Sequence, residues 1–136
     1  MKIGELASAT HTLPETVRFY ERLGLLPRPL RTEANYRDYA REDVQRLAFI
    51  RHCRSLDMTL EEVRTLLELR DEPGRSCVNA DDLVASHVQK VVVRIRELRA
   101  LEAELRSLSK ACSVGRTAAE CGILNGLSRA AESVVR

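Results

Sequence analysis

A helical run of about 32 residues, Asn79 to about Lys110, is preceded by Cys77 and followed by Cys112 and Cys121, and it constrains what the rest of the chain can build. Its apolar residues Val84, Val88, Val91, Ile95 and Leu98 step by four and three. Leu101, Leu105, Leu108 and Cys112 continue after one shortened step. Spacing close to 3.5 residues over such a length marks a coiled-coil seam, which a second helix has to cover. Too little chain follows the run to cover it from within, so the seam predicts a dimer. At about 1.5 Å per residue the rod is about 48 Å long, which holds Cys77 and Cys112 of one chain at opposite ends. Two such rods packed antiparallel in a symmetric dimer bring Cys77 of one chain to Cys112 and Cys121 of the other. Three thiols at a subunit junction make a site for a soft metal ion, built twice per dimer.

The remaining chain is short. With 136 residues there is room for one ordinary core, or for a small module joined to an oligomerisation element. Aromatic residues at 4% and the lack of Trp point to an aliphatic, helical interior. The net charge of +2 is uninformative, but its distribution is not. Residues 1–54 carry 10 Lys+Arg against 7 Asp+Glu, and residues 55–136 carry 12 against 13. The basic excess therefore sits in the N-terminal part, as in a chain whose first module meets nucleic acid. No apolar stretch reaches membrane-spanning length, and MKIGELASAT lacks the apolar core of a signal peptide. These features predict a cytoplasmic protein with no membrane partner. Four Cys in that reducing compartment point to packing, metal or redox roles rather than to a disulfide framework.

Taken in order, Ile3, Leu6 and Ala7 mark a short amphipathic helix. Pro14 suits the first position of a second helix, PETVRFYERL, which Gly24 closes, with Val17 and Leu23 towards the core. Two short helices and a tight turn read as helix-turn-helix. The following stretch, LLPRPLRTEANYRDY, reads as a β-hairpin in which Arg28, Arg31, Arg37 and Arg41 surround Tyr36 and Tyr39. Basic side chains interleaved with Tyr hydroxyls suit phosphate contacts, whereas Tyr39 is read as packing on the helices. In REDVQRLAFIRHCRSLD the helical stripe Phe49, Cys53, Leu56 makes Cys53 a buried structural thiol, and His52 an exposed residue. Thr59 and Glu62 form a capping box for a helix with core residues Leu60, Val63, Leu66 and Leu67.

The segments MKIGELA, PETVRFYERLGLLP, NYRDY and LDMTLEEVRTLL, in this order between Met1 and about Leu69, resemble the winged-helix DNA-binding domain of the MerR family of transcriptional activators. The resemblance implies that the second helix enters the major groove and that the hairpin forms a wing on the phosphate backbone. It implies DNA contacts by Arg18 and Tyr20 of VRFY and by Tyr36 and Arg37 of NYR, with Arg31 beside them in the wing. Glu15 and Thr16 lie early in the helix, whose N-terminal end is what reaches base edges.

Further along, Asn79 with Asp82 reads as a capping pattern opening the rod, and Thr117 with Glu120 as one placing Cys121 near the start of a last short helix. That position favours a thiolate. Cys112 has the opposite placement, at the carbonyl end of the rod, so metal would have to drive its deprotonation. A closed structural zinc site takes four protein ligands, and the loop SVGRTAAE between the two thiols supplies none. His87 is read as a helix-surface residue rather than a fourth ligand. The spacing Cys77, Cys112, Cys121, with CRSLDMTL, ASHV and CGIL, resembles the three-cysteine effector site of the lead- and cadmium-responsive MerR members. Copper sensors of the family lack the first Cys, whereas mercury sensors can share the spacing. The chain ends LSRAAESVVR, without the His-rich tail of some cadmium members, so no second metal site is expected.

Together these readings predict a mainly all-α chain. Residues 1–70 form a winged helix-turn-helix DNA-binding domain. Residues 71–111 form a linker and a long antiparallel coiled-coil dimerisation helix, and residues 112–136 a metal-binding loop, a short helix and a tail. The expected function is a homodimeric regulator that senses a soft divalent ion, Pb(II) or Cd(II), through Cys77, Cys112 and Cys121. It would activate a resistance promoter by distorting double-stranded operator DNA so that RNA polymerase contacts realign. Mercury- or zinc-responsive members of the same family, and a thiol-redox regulator, are the alternatives. Nothing resembling H-E-x-x-H, G-x-S-x-G, a P-loop or C-x-x-C is present, and no enzyme is expected.

Overall fold

Thr10 ends the first helix by folding its hydroxyl back onto the carbonyl of Leu6 at 2.8 Å. In the computed structural model, which describes residues 1–31, 37–112 and 117–135, that helix is α1 (Ile3–Ala9), with Leu6 and Ala7 buried. His11 then takes a left-handed conformation, φ 53°, and reverses the chain. Pro14 starts α2 (Pro14–Arg22), where a missing N–H costs nothing because the first turn has no partner for it. Gly24, at φ 76°, closes it, and the N–H of Leu25 donates to the carbonyl of Tyr20 at 3.0 Å. A short antiparallel ladder follows, β1 (Leu30–Arg31) with β2 (Arg37–Asp38), pairing Leu30 with Asp38 and Arg31 with Arg37. This is the base of the expected wing; its tip, with Tyr36, lies outside the described residues.

Helix α3 (Arg41–Ser55) begins with the Asp43 carboxylate accepting the N–H of Ala40 at 2.8 Å. Its buried face is Leu47, Ile50 and Cys53, so Cys53 is in the core as expected. Leu56 is exposed and Phe49 only half-buried, under the guanidinium of Arg70 at 5.3 Å. Two helical stripes share Cys53, and periodicity alone selected the wrong one. After the left-handed Asp57 (φ 61°), the reciprocal cap of α4 (Leu60–Asp71) is present. Glu62 N–H donates to Thr59 Oγ1 at 3.1 Å, and Thr59 N–H to Glu62 Oε1 at 2.9 Å. Val63 and Leu67 complete a core with Val17, Leu25, Leu47 and Ile50. Fully burying each such side chain contributes roughly 1.5–3 kcal/mol.

The chain divides into two compact units, Met1–Ala85 and Ser86–Arg136. Helix α5 (Val78–Lys110) is continuous over 33 residues. It starts before the expected Asn79–Asp82 pair: Val78 N–H donates to Ser76 Oγ at 3.3 Å, and the Cys77 carbonyl accepts from Asp81 N–H at 3.0 Å. Cys77 itself is thus the residue at the helix entrance. The seam residues Val84, Val88, Val91, Ile95, Leu98, Leu101 and Leu105 are each at least 39% exposed, so their own chain does not cover them. His87 is buried, 8% exposed, and not the surface residue that a polar position on an exposed rod predicts. The C-terminal part is a single 3₁₀ turn, Ala118–Glu120, followed by α6 (Gly122–Glu132). Thr117 makes no side-chain cap bond, and the helix-capping position belongs to Cys121 instead.

The architecture is therefore mainly α-helical, a helix-turn-helix with a two-strand wing base followed by a long helix and a short one. Among the described residues no helix is long and apolar enough to cross a membrane.

Candidate nucleic-acid interface and metal centre

The α2 residues expected to contact DNA occupy three different environments. Glu15 and Arg18 are exposed on α2, Thr16 is half-buried, and Tyr20 is only 7% exposed. The ring of Tyr20 is part of the core, 5.9 Å from the ring of Phe19. Part of Tyr20 also lines an open cleft of about 400 Å³ together with His11, Thr12, Thr16, Arg51 and Arg54. Arg31 and Arg37 are paired strand residues in the wing base, and Tyr36 is outside the described residues.

The cleft contains two residues that sequence reasoning missed. Arg51 Nη1 donates to the carbonyl of Thr10 at 2.8 Å, tying α3 to the helix-turn-helix turn. Arg54 Nη1 donates to the carbonyl of Met58 at 2.7 Å. Each guanidinium carries further N–H donors beyond that one bond. Their three-residue spacing on α3 was the available signal, but it has meaning only once the turn at Thr10–Leu13 is known to face it.

The far end of α2 is gripped by the two following helices. Arg46 of α3 donates through Nε to the carbonyl of Leu25 at 2.6 Å and pairs with Asp71 of α4 at 2.7 Å. Arg64 of α4 donates to the carbonyl of Leu23 at 2.5 Å. The turn at Gly24 thus has its flanking carbonyls held by α3 and α4.

Cys112 and Cys121 come together in the second unit. Cys112 follows α5 and is exposed, its N–H donating to the carbonyl of Ser109 at 3.4 Å. Cys121 is the N-cap of α6, with its carbonyl accepting from Asn125 N–H at 3.0 Å. The backbone N–H of Leu124 lowers the pKa of the Cys121 thiol. Desolvation, the next largest effect, opposes it, and the N–H of Ile123 and the thiol of Cys112 lower it further, leaving it below the ordinary value. The loop residues 113–116 between them lie outside the described residues.

Cys77, at the entrance of α5, is exposed. Among the described residues of one chain no group of three Cys, His, Asp or Glu side chains is assembled for a metal ion. Burial pushes the Cys53 thiol up, the opposite direction to Cys121, and disfavours the anion that a metal requires. As a donor set, a soft thiol pair with one easily ionised member fits a soft divalent cation.

The chain matches two family models, "MerR HTH family regulatory protein" over residues 1–69 and "MerR, DNA binding" over residues 44–108. It is 37% identical over 135 residues to the HTH-type transcriptional regulator ZntR of Escherichia coli (strain K12), covering 98% of this chain and 96% of that one. It is 36% identical over 128 residues to the mercuric resistance operon regulatory protein of Bacillus cereus, covering 94% and 97%. Its fold superposes on the crystal structure of the transcription regulator PbrR691 from Ralstonia metallidurans CH34 in complex with lead(II). That match has a TM-score of 0.80 and 52% identity, over 93% of this chain and 98% of that one. By family model, by full-length identity and by fold, the chain belongs to the MerR family of helix-turn-helix transcriptional regulators.

Proposed function

We propose that the chain is a heavy-metal-responsive regulator that binds promoter DNA as a homodimer and takes Pb(II) or Cd(II) as its effector. The observation carrying this reading is the thiol pair, Cys112 beside Cys121 at the N-terminus of α6. The 52% identity to a regulator crystallised with lead(II) supports the choice of metal. Such an ion exchanges thiol protons for bonds to sulfur, so binding strengthens as the thiols ionise. Cys112 and Cys121 supply two ligands, and Cys77 of the partner subunit supplies the third. The exposed apolar seam along α5 supports an antiparallel coiled coil, since a helix this long with an uncovered stripe needs a second one.

On this reading the domains are a winged helix-turn-helix over residues 1–70, a linker and dimerisation helix over 71–111, and a sensing segment over 112–136. Glu15 and Thr16 face bases, while Arg18, Arg31, Tyr36 and Arg37 hold the DNA backbone. Tyr20 contributes through the part of it that lines the cleft, while the residue as a whole also serves the core. Arg51 and Arg54 extend the same basic surface. Activation requires two dimer states whose balance depends on metal, and operator DNA whose deformation is part of the energy. The grip of Arg46 and Arg64 on the Gly24 turn offers a route by which α3 and α4 pass a change to α2.

Titrating Pb(II), Cd(II), Hg(II) and Zn(II) against promoter activation tests the reading. Pb(II) or Cd(II) should activate at the lowest concentration, and Ser at Cys77, Cys112 or Cys121 should abolish activation while operator binding persists. Activation by Hg(II) alone would support a second reading, which the similarity to the mercuric resistance regulator favours. Unchanged activation in all three Ser variants would refute thiol sensing.

A further inference from the structure

Gly122 approaches the end of α5 more closely than any side chain would allow. A Cβ built there would lie 2.3 Å from the carbonyl oxygen of Ala111, 3.0 Å from the Ala111 Cβ and 3.1 Å from its carbonyl carbon. The obstruction is mostly backbone, so it cannot swing aside as a side-chain end would. The contact also has a particular location in the chain. Ala111 is followed by Cys112, and Gly122 is preceded by Cys121, so the two thiols flank the point of closest approach. One turn further along α6, a Cβ at Gly126 would meet the Leu108 Cδ2 methyl at 3.3 Å, a side-chain end that can yield by a few tenths of an ångström.

We propose that Gly122 is a positioning residue for the sensing thiols: its missing side chain lets α6 seat on the Ala111 carbonyl and thereby sets the spacing of Cys112 and Cys121. This rests on the reading of the two thiols as effector ligands, but the spacing can be measured without it. Any residue larger than Gly lifts the start of α6 away from α5 and carries Cys121 from Cys112. Helix propensity opposes that outcome, because Ala favours a helix over Gly at either position. A loss on Gly122→Ala therefore does not come from a lower helix propensity of α6.

The test uses full-length dimer carrying Cys77→Ser, and a fluorescent monoarsenical as probe. The arsenic(III) oxide centre, R–As=O, condenses with two thiols to R–As(S)₂ and releases one water, with no change of oxidation state. It binds tightly only where two thiols are held at bridging distance within one chain. Gly122→Ala should weaken its binding at least tenfold, while Gly126→Ala changes it no more than about twofold. Gly122→Ser presents the same Cβ with a poorer helix former, so it should match Gly122→Ala within about twofold. Circular dichroism and operator affinity should be unchanged in all three. Undiminished bridging in Gly122→Ala overturns the proposal, as does an equal loss in Gly126→Ala or a much larger loss in Gly122→Ser. In chains with Cys77 intact, the sulfur-to-lead charge-transfer band should weaken in parallel. If wild-type protein shows no such band, the metal reading fails, and the arsenical series still decides the role of Gly122.

Discussion

The phenol of Tyr39 donates a hydrogen bond to Oε1 of Glu21, joining the residue after β2 to the end of α2 in a buried position. The backbone N–H of Tyr39 also donates to the carbonyl of Met1 at 2.7 Å. The wing base is thereby tied both to α2 and to the start of the chain. The N-terminal ammonium adds an ion pair with Asp38 at 2.8 Å, and that bond holds its pKa above the ordinary value.

Tyr39→Phe keeps the ring and removes one bond to a buried carboxylate. Loss of a hydrogen bond to a charged group costs about 1–3 kcal/mol. Urea denaturation of the variant should show a lower midpoint with unchanged slope, and metal affinity equal to wild type. A midpoint within error of wild type would mean that the bond contributes nothing net.

Thr59→Ala removes the hydroxyl that accepts the Glu62 N–H. An N-cap of this kind contributes about 1 kcal/mol. Thr59→Ser should recover most of the loss, because it restores the oxygen, and Thr59→Val should not.

Arg18 is exposed on α2 while Arg51 is bonded to the turn preceding it. Arg18→Ala should weaken operator binding about tenfold with thermal stability unchanged. Arg51→Ala should lower both operator affinity and stability. Salt must be held constant, since phosphate-dominated affinity falls steeply with it. Tight operator binding by Arg18→Ala at the same salt would remove α2 from the role assigned to it.

The thiols should separate by pH. The Cys121 thiol is held below the ordinary value, chiefly by the Leu124 N–H, so its anion is favoured in the folded chain. Its contribution to stability is present above the unfolded thiol pKa and is lost as pH falls through the folded value. For Cys53 burial acts the other way, so the folded chain favours the neutral thiol and loses that advantage as pH rises past the ordinary thiol range. Alkylation of metal-free protein followed by mass spectrometry should show Cys121 reacting at lower pH than Cys53. The reverse order would contradict both environments. Cys53→Ser should accordingly alter stability and spare metal induction.

The proposed sharing of ligands between protomers is tested by complementation. In a tag-selected heterodimer of a Cys77→Ser chain and a Cys112→Ser chain, the shared arrangement leaves one complete site and one lacking two thiols. An arrangement within each chain leaves neither complete. One tightly bound metal per heterodimer, with the charge-transfer band of wild type, is the expected result. Weak binding equal to that of the mutant homodimers would show that the three thiols do not meet across the dimer.

Several elements could be read from the residues alone because their causes are local. Pro14 and Gly24 bound α2, Thr59 and Glu62 cap α4, and the long apolar repeat defines α5 to within a residue at its start. Each depends on backbone chemistry within a few positions, or on a period sustained over many turns. The pairing of Cys112 with Cys121 was suggested by their closeness in sequence. Its physical basis is tertiary: α6 starts against the Ala111 carbonyl, at a distance that leaves no room for a Cβ on residue 122. The choice between the Leu47 and Phe49 stripes of α3, the burial of Tyr20 and the inward position of His87 also escaped the sequence. A helical period says that a face exists, but which face is buried depends on the neighbours packed against it. The same limit applies to the cleft of Arg51 and Arg54, which exists because α3 carries two cations to a turn formed some forty residues earlier.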